Sequence, residues 1–215
     1  MDEEDKKSQN SIKITLIGDS GVGKTCIIRR YTSNEFTAES LTTDGVSYSK
    51  KEVMYGDEKI QLDLWDTAGQ EKYRSLGKHF YKDSFIVILV YNITSRESFE
   101  NLKNVWLEDV MNYGEKYKVL AVVGNKCDLY EQEAVPEEDG RKFAQEHDAI
   151  FMNVSARDGT NINTLFDYCV KKYFDPNFQV DVIEERKRDE NSVVIKRRKR
   201  KKDTGNSKKS VVNNI

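Results

Sequence analysis

Residues 18–25, GDSGVGKT, form a glycine-rich loop between a short β-branched run, IKITLI, and a helical pattern at 24–33. A GxxxxGK[ST] loop at such a junction folds around an oxyanion, because glycine allows the tight backbone and the amides at the helix N-terminus point at the anion. Lys24 would reach outer phosphates and Thr25 would ligate magnesium. The loop therefore predicts a phosphate site; the alternative is a glycine turn that only caps a helix.

Short apolar or alternating runs recur along the chain between longer amphipathic ones. They read IKITLI, VSYSKKEVMY, KIQLDLW, FIVILVYN, KVLAVVGN and AIFMNV. The runs FIVILVYN and KVLAVVGN are apolar throughout, which is typical of strands covered on both faces. This alternation predicts an α/β fold with a mostly parallel sheet covered by helices on both faces. The glycine-rich loop resembles that of the P-loop NTPases, which implies their three-layer form of this fold with a six-stranded sheet. In such folds, ligands lie at the carboxyl ends of the strands.

Capping signals and periodicity place the later helices. The sequence TSRE, Thr94–Glu97, is a capping box, and Pro136 is expected at the first position of the next helix. The helix after Thr94 has an apolar face of Phe99, Leu102, Trp106 and Val110. The last helix has an apolar face of Ile162, Leu165, Phe166, Cys169 and Val170. Both tryptophans of the chain, Trp65 and Trp106, are expected to serve packing.

Charge and length indicate one domain with appendages in this 215-residue chain. From Asp175 onward, twelve lysines and arginines stand against seven acids, a net charge of +5, and the preceding residues carry −7. The opening MDEEDKKSQNS is polar and charged. We therefore expect a disordered lead at 1–11, one globular domain at 12–174 and a disordered basic tail at 175–215.

Cysteine usage predicts a reducing, cytoplasmic setting. Cys26, Cys127 and Cys169 are an odd number at wide spacing, which suits neither a disulfide framework nor a zinc site. The longest apolar run, FIVILV, has six residues, too few for a transmembrane helix, and no signal peptide is recognisable. Cys26 and Cys169 lie on apolar helical stripes and are expected to fill the core.

Three further motifs each follow a predicted strand. DTAGQE at 66–71 offers an acid for a metal, a glycine amide for a terminal phosphate, and Gln70 to orient an attacking water. NKCD at 125–128 offers Asp128, whose carboxylate accepts from the ring and exocyclic nitrogens of guanine, a donor pair that adenine lacks. SAR at 155–157 offers backbone amides to the guanine oxygen. Each motif is weak alone, but four in this order predict a guanine nucleotide site.

Together, GDSGVGKT, WDTAGQE, NKCD and SAR resemble the Ras superfamily of small GTPases, and NEF, GV, YRSL and NKCDL are most similar to its Rab branch. The resemblance implies a GTP/GDP switch that hydrolyses GTP and regulates vesicle trafficking. Phe36 would pack on the guanine and Thr43 would close over the terminal phosphate. The expected nucleotide-binding residues are Gly18, Asp19, Ser20, Gly21, Val22, Gly23, Lys24, Thr25, Cys26, Phe36, Thr43, Gly69, Asn125, Lys126, Asp128, Ser155, Ala156 and Arg157.

Catalytic and metal roles follow from the same resemblance. Gln70 would position the attacking water, Lys24 would neutralise developing charge, and Gly69 would sense the terminal phosphate. Mg²⁺ is the expected cofactor, and its ligands would be Thr25, Thr43 and, through water, Asp66. Because no residue is identifiable as an arginine finger in cis, hydrolysis is expected to be slow without an activating protein.

The expected partners are GTP or GDP, an exchange factor, a GTPase-activating protein and effectors that contact switch regions 36–48 and 66–80. The first switch reads TDGVSY where the Rab pattern is Thr-Ile-Gly-Val-Asp-Phe, so Asp44 places a charge where effectors contact an apolar side chain. The sequence FYKDS similarly replaces Tyr-Tyr-Arg-Gly-Ala after the second switch. The protein is expected to be a monomer without a specific nucleic-acid partner.

Three alternatives to a Rab-like switch stay open from the sequence. They are a scaffold that binds GTP without hydrolysing it, an ATP-using P-loop enzyme, and a Ras-like or nuclear, Ran-like signalling switch. The presence of Gln70, Thr43 and Thr25 argues against the scaffold, and NKCD argues against ATP.

The basic run KRRKRKK, 196–202, is the main feature of the tail. No cysteine follows Cys169 to accept a prenyl group, and the opening MD excludes myristoylation, so a complete chain of this sequence would be atypical in lacking a lipid motif. The run fits a solvated disordered tail, contact with an anionic membrane, or nuclear import and nucleic-acid contact. The expected location is accordingly cytoplasmic, with peripheral endomembrane and nuclear locations as alternatives.

Overall fold

The computed structural model describes residues 11–37, 46–67, 82–114 and 117–180. The strands are Ser11–Ile17 (β1), Val46–Tyr55 (β2), Glu58–Thr67 (β3), Ile86–Asn92 (β4), Val119–Asn125 (β5) and Ile150–Asn153 (β6). The helices are Lys24–Ser33 (α1), Arg96–Asn101 (α2), Leu107–Tyr113 (α3), Glu137–Glu146 (α4) and Ile162–Phe174 (α5). A π turn, Leu102–Trp106, joins α2 to α3, and a 3₁₀ helix spans Cys127–Gln132.

The strands form one six-stranded sheet in the order β2-β3-β1-β4-β5-β6. β2 pairs with β3 in antiparallel fashion, and the other pairs are parallel. The mostly parallel sheet predicted from the sequence is therefore confirmed. Because parallel strands share a direction, the loops after β1, β3, β4, β5 and β6 emerge along the same edge.

Apolar residues are buried on both faces of the sheet, as the uninterrupted apolar runs of β4 and β5 predict. On one face, Tyr91 of β4 packs with Phe99 of α2 and Phe143 of α4 in a single cluster. On the other face, α1 and α5 lie together, and the rings of Tyr31 and Phe166 stack with centroids 3.8 Å apart. The prediction of helices on both faces is thus confirmed.

The predicted capping box at Thr94 is wrong by one residue. The hydroxyl of Thr94 donates instead to Oδ1 of Asn92 at 3.0 Å. Ser95 is left to cap the helix, and its hydroxyl accepts the backbone N–H of Ser98 at 3.2 Å. Pro136 likewise precedes α4 as its cap instead of occupying its first position.

Contacts divide the chain into a unit from Met1 to Phe178 and a second unit from Gln179 to Ile215. The second unit is described only at Gln179 and Val180, so the basic run 196–202 lies outside the described residues. Within the described ranges, no helix combines the length and apolar character needed to span a membrane.

Candidate nucleotide site

The loop between β1 and α1 is packed tightly against the ends of β4 and β5. Gly18 and Gly23 adopt φ angles of 143° and 100°, which glycine accommodates readily. A Cβ atom on Gly18 would lie 2.1 Å from the carbonyl oxygen of Val90, and one on Gly23 would lie 2.3 Å from Nδ2 of Asn125. Both glycines are therefore required by conformation and by space. Ser20 and Gly21 form the exposed tip of this loop, whereas Val22 is buried.

Lys24 closes this loop from the first turn of α1. Its ammonium donates to the carbonyl oxygens of Gly18 at 2.7 Å and Asp19 at 2.8 Å. Burial lowers the pKa of Lys24 to about 8, and the negative charges of Asp66 and Asp19 partly oppose this decrease. Because the charged form bears a desolvation cost, a phosphate anion beside the ammonium would stabilise it strongly.

Thr25 and Asp66 form the part of the site suited to a metal. The Thr25 hydroxyl donates to Oδ2 of Asp66 at 2.6 Å. Asp66 is buried, and its Oδ1 atom has no hydrogen-bond partner among the described residues. Burial raises the pKa of Asp66, while the hydrogen bond from Thr25 and the charge of Lys24 oppose the rise. A buried carboxylate oxygen without a donor, beside a hydroxyl, fits the oxygen ligands that Mg²⁺ prefers.

Asn125 at the end of β5 connects two loops. Its Nδ2 donates to the carbonyl oxygen of Val22 at 2.8 Å, and its Oδ1 accepts the backbone N–H of Ala156 at 3.2 Å. The side chain is almost fully buried. Asn125 therefore holds the phosphate loop and the loop after β6 in fixed relation.

Asp128 faces a cavity of about 570 Å³ beside these loops. Its Oδ1 accepts the hydroxyl of Ser155 at 2.7 Å, and its Oδ2 lies 3.7 Å from Nη1 of Arg157. These contacts fix the orientation of a carboxylate whose remaining lone pairs can accept from a base. Phe36 and Lys126 also line the cavity.

Arg30 is a residue of this region that sequence reasoning missed. Its guanidinium donates to the carbonyl oxygens of Ala156 at 2.9 Å, Arg157 at 2.7 Å and Asn34 at 2.7 Å. It also lies 6.0 Å from the ring centroid of Phe36. Arg30 thus ties the loop after β6 to the segment that follows α1. A basic residue in the last turn of a helix is ordinary, so its sequence position carries no signal for this role.

Asn101 and Trp106 also reach the phosphate loop. The indole Nε1 of Trp106 donates to Oδ1 of Asp19 at 2.6 Å, and Nδ2 of Asn101 donates to Oδ2 at 2.8 Å. Trp106 packs in the core, as expected, but its indole N–H also binds the phosphate loop, a contact that sequence reasoning missed. The available signal was that a buried indole N–H usually has an acceptor.

The structure brings most of the predicted site residues to one edge of the sheet. It describes Gly18, Asp19, Ser20, Gly21, Val22, Gly23, Lys24, Thr25, Cys26, Phe36, Asp66, Asn125, Lys126, Asp128, Ser155, Ala156 and Arg157. Thr43, Gly69 and Gln70 lie outside the described residues. Cys26 is half-buried and lines the cavity, so the expectation that it fills the core is wrong, whereas Cys169 is buried as expected.

Residues 13–175 match the sequence profile of the Ras family. The chain belongs to the Ras family. This GTPase is 41% identical over 154 residues to the Ras-related protein RABA4d of Arabidopsis thaliana, an alignment that covers 72% of the chain and 69% of that relative. It is 39% identical over 154 residues to the Ras-related protein Rab11A of Lotus japonicus, covering 72% of the chain and 68% of the relative. It is 38% identical over 162 residues to the Ras-related protein Rab-25 of Canis lupus familiaris, covering 75% and 76%.

These relatives establish a Rab-like small GTPase, which binds guanine nucleotides and hydrolyses GTP to GDP and phosphate. The sequence resemblance to the Rab branch is confirmed. The family also acts with regulators and effectors in general. An ATP-using enzyme and a non-hydrolysing scaffold are no longer needed to explain the motifs.

Replacing Arg30 with lysine is expected to accelerate GDP release by about five- to tenfold, because lysine keeps the charge but loses the planar fork that reaches three carbonyl groups. The release of a fluorescent GDP analogue measures the effect. Arg29→Lys is the matched control, since Arg29 is the exposed neighbour on the same helix. Equal rates in both variants would contradict the role of Arg30.

Proposed function

We propose that this GTPase is a GTP/GDP switch that regulates intracellular vesicle trafficking. The convergence of the phosphate loop, Asp66, the NKCD loop and the SAR loop at one edge of the sheet supports the nucleotide switch. The similarity to Rab relatives supports the trafficking role. In this proposal Lys24 and the loop amides bind the phosphates. Asp128 accepts hydrogen bonds from the guanine nitrogens, and the SAR loop, 155–157, faces the guanine oxygen.

Magnesium is the proposed cofactor. Thr25 would bind the ion directly and Asp66 would hold it through water, with Thr43 as a further ligand from outside the described residues. When bound, Mg²⁺ neutralises charge on the terminal phosphates. The buried Oδ1 atom of Asp66, which lacks a donor among the described residues, supports this assignment.

Hydrolysis requires mainly positioning and charge neutralisation, because phosphoryl transfer leaves the protein little covalent chemistry. Lys24 supplies a cation that is already held across the phosphate loop by two carbonyl groups. Gln70 is proposed to orient the attacking water. We expect slow intrinsic turnover. An activating protein that supplies an arginine is expected to accelerate it by roughly three to five orders of magnitude, as in Ras-type GTPases generally.

Switching follows from loss of the terminal phosphate. Thr43 and Gly69 would then be released, and both switch regions, 36–48 and 66–80, would relax. Effectors are proposed to read this difference. The described part of the first region includes Tyr48, which is 44% exposed and lies 5.2 Å from the Trp65 ring, so an aromatic surface is available to them.

Two variants test the switch. Gln70→Leu is expected to slow single-turnover hydrolysis by about 100-fold or more while sparing GTP binding, because it removes the water-orienting amide. Thr25→Asn is expected to weaken binding of GTP more than GDP, because it removes the hydroxyl proposed to hold magnesium.

The same two variants test the trafficking role when they are expressed in cells. Both should impair transport of a marker cargo, and wild-type protein is the control. Unchanged hydrolysis would remove the role of Gln70, and unchanged transport with both variants would contradict the trafficking function.

We propose a monomer that is peripheral on endomembranes, with the basic run 196–202 as a contact for anionic lipid. Each basic residue near such a surface contributes at most about 1 kcal/mol, so the contact would be reversible. The full chain is expected to float with vesicles of anionic lipid at low salt and to dissociate as salt rises. Neutralising the run by glutamine substitution is the matched comparison. No flotation at low salt would contradict membrane contact. The comparisons with relatives give no support to a nuclear location.

A further inference from the structure

The π turn between α2 and α3 brings two side chains onto one carboxylate of the phosphate loop. Asn101 is the last residue of α2 and Trp106 is the last residue of the turn. They donate to different oxygens of Asp19, at 2.8 Å and 2.6 Å. Both oxygens of Asp19 therefore bind groups from this helix.

The wide turn is what allows both contacts. Residues five apart on an α-helix point about 140° away from each other, because each residue turns by about 100°. In the π turn the backbone N–H of Leu107 donates to the carbonyl oxygen of Leu102, which is an i→i+5 pattern. Such a turn brings positions five apart back toward the same side. Asn101 and Trp106 consequently converge on Asp19, which an uninterrupted α-helix would not permit.

Asp19 is also bound through its backbone. Its carbonyl oxygen accepts the Lys24 ammonium at 2.8 Å, beside the left-handed Gly18. The side chain and the main chain of Asp19 are thus each held by hydrogen bonds. A carboxylate released from the helix would be free to turn toward bound phosphates, where like charges repel.

We propose that Asn101 and Trp106 are positioning residues for nucleotide binding. Through Asp19 they hold the phosphate loop in the conformation whose amides face the anion and keep the Asp19 carboxylate directed at the helix. The rate at which the nucleotide leaves is therefore set partly by the π turn. This inference rests on the proposed binding of phosphates by the loop.

A double-mutant cycle tests the proposal through release of a fluorescent GDP analogue. Asn101→Ala and Trp106→Phe are each expected to accelerate release by about tenfold, since each removes a hydrogen bond to a charged group. In an Asp19→Ala background the same two changes are expected to alter release by less than about twofold, because their acceptor is already gone. An undiminished tenfold effect in that background, or no effect in the single variants, would overturn the proposal.

Two controls separate positioning from packing. Leu107→Ala removes buried apolar volume at the next position of the same helix, so any effect on release should be equal in both backgrounds. Trp106 is one of only two tryptophans in the chain. In NMR spectra of the GDP complex, the chemical shift of its indole N–H should change in Asp19→Ala and remain unchanged in Leu107→Ala. An unchanged shift in Asp19→Ala would contradict the hydrogen bond. Asn101 is partly exposed, so its variant remains informative if Trp106→Phe folds poorly.

Failure of this inference is distinguishable from failure of the proposed site. If the loop does not bind phosphate, Lys24→Met will leave nucleotide affinity unchanged. If the loop binds phosphate but the helix does not position it, Lys24→Met will abolish nucleotide binding. The effects of Asn101→Ala and Trp106→Phe on release will then be the same with and without the Asp19 carboxylate.

Discussion

Replacing Asp128 with asparagine is expected to lower the affinity for GTP and GDP by about a thousandfold. The Asp128 carboxylate is held by Ser155 and Arg157 in an orientation that faces the cavity. An amide in its place offers one acceptor and one donor, so one N–H of guanine would meet another donor. A buried donor without an acceptor costs enough to account for a loss of this size. Equilibrium binding of labelled GDP measures it.

A rescue experiment distinguishes this loss from misfolding. Xanthine carries an oxygen where guanine carries its exocyclic amine, so the asparagine amide would regain an acceptor. Asp128→Asn protein is therefore expected to bind xanthosine diphosphate better than GDP. The control is Glu131→Gln, an exposed acid on the same 3₁₀ helix, which should leave GDP affinity unchanged. Failure of xanthosine diphosphate to bind, with the fold intact, would oppose the assigned role of Asp128.

Replacing Lys24 with methionine is expected to reduce nucleotide affinity by at least about a thousandfold. The ammonium is buried and its pKa is lowered to about 8, so the folded protein holds a poorly solvated cation beside the phosphate loop. Two charge-assisted hydrogen bonds to phosphate oxygens are worth about 4 kcal/mol together. Retention of nucleotide through gel filtration and equilibrium binding would measure the loss.

The matched control for Lys24 is Lys13→Met. Lys13 is also partly buried, and its ammonium also donates to a backbone carbonyl, that of Lys82, at 2.7 Å. Its removal should leave GDP affinity within about threefold, because it lies outside the proposed site. Equal loss of affinity in both variants would mean that the effect of Lys24→Met is indirect.

The sequence predicted the site because the relevant signals are local. Gly18, Lys24 and Thr25 lie within one short motif, and NKCD and SAR each follow a strand whose apolar character is plain. The sharing of one sheet edge by these loops then follows from the parallel connections. Local signals also located the strands and helices to within a few residues.

The residues that sequence reasoning missed act through distant partners. Arg30 donates to residues 126 and 127 positions away, and Trp106 donates to Asp19 across 87 positions. A buried indole N–H is expected to have an acceptor, but no local pattern identifies the distant Asp19 as that acceptor. The π turn was equally hidden, because the apolar spacing of Phe99, Leu102 and Trp106 is compatible with an ordinary helix. At Thr94 a local pattern gave the wrong prediction. The Thr94 hydroxyl donates to the side chain of Asn92, so it does not cap the helix.

The buried Asn125 amide gives the nucleotide site a thermodynamic property of its own. Because one side chain binds both the Val22 carbonyl and the Ala156 amide, ordering of the base loop and ordering of the phosphate loop are coupled events. A nucleotide that engages one end lowers the entropic cost of engaging the other. The coupling also acts in the opposite direction. A partner protein that displaces only the phosphate loop also weakens the binding of guanine by the base loop, and so releases the whole nucleotide.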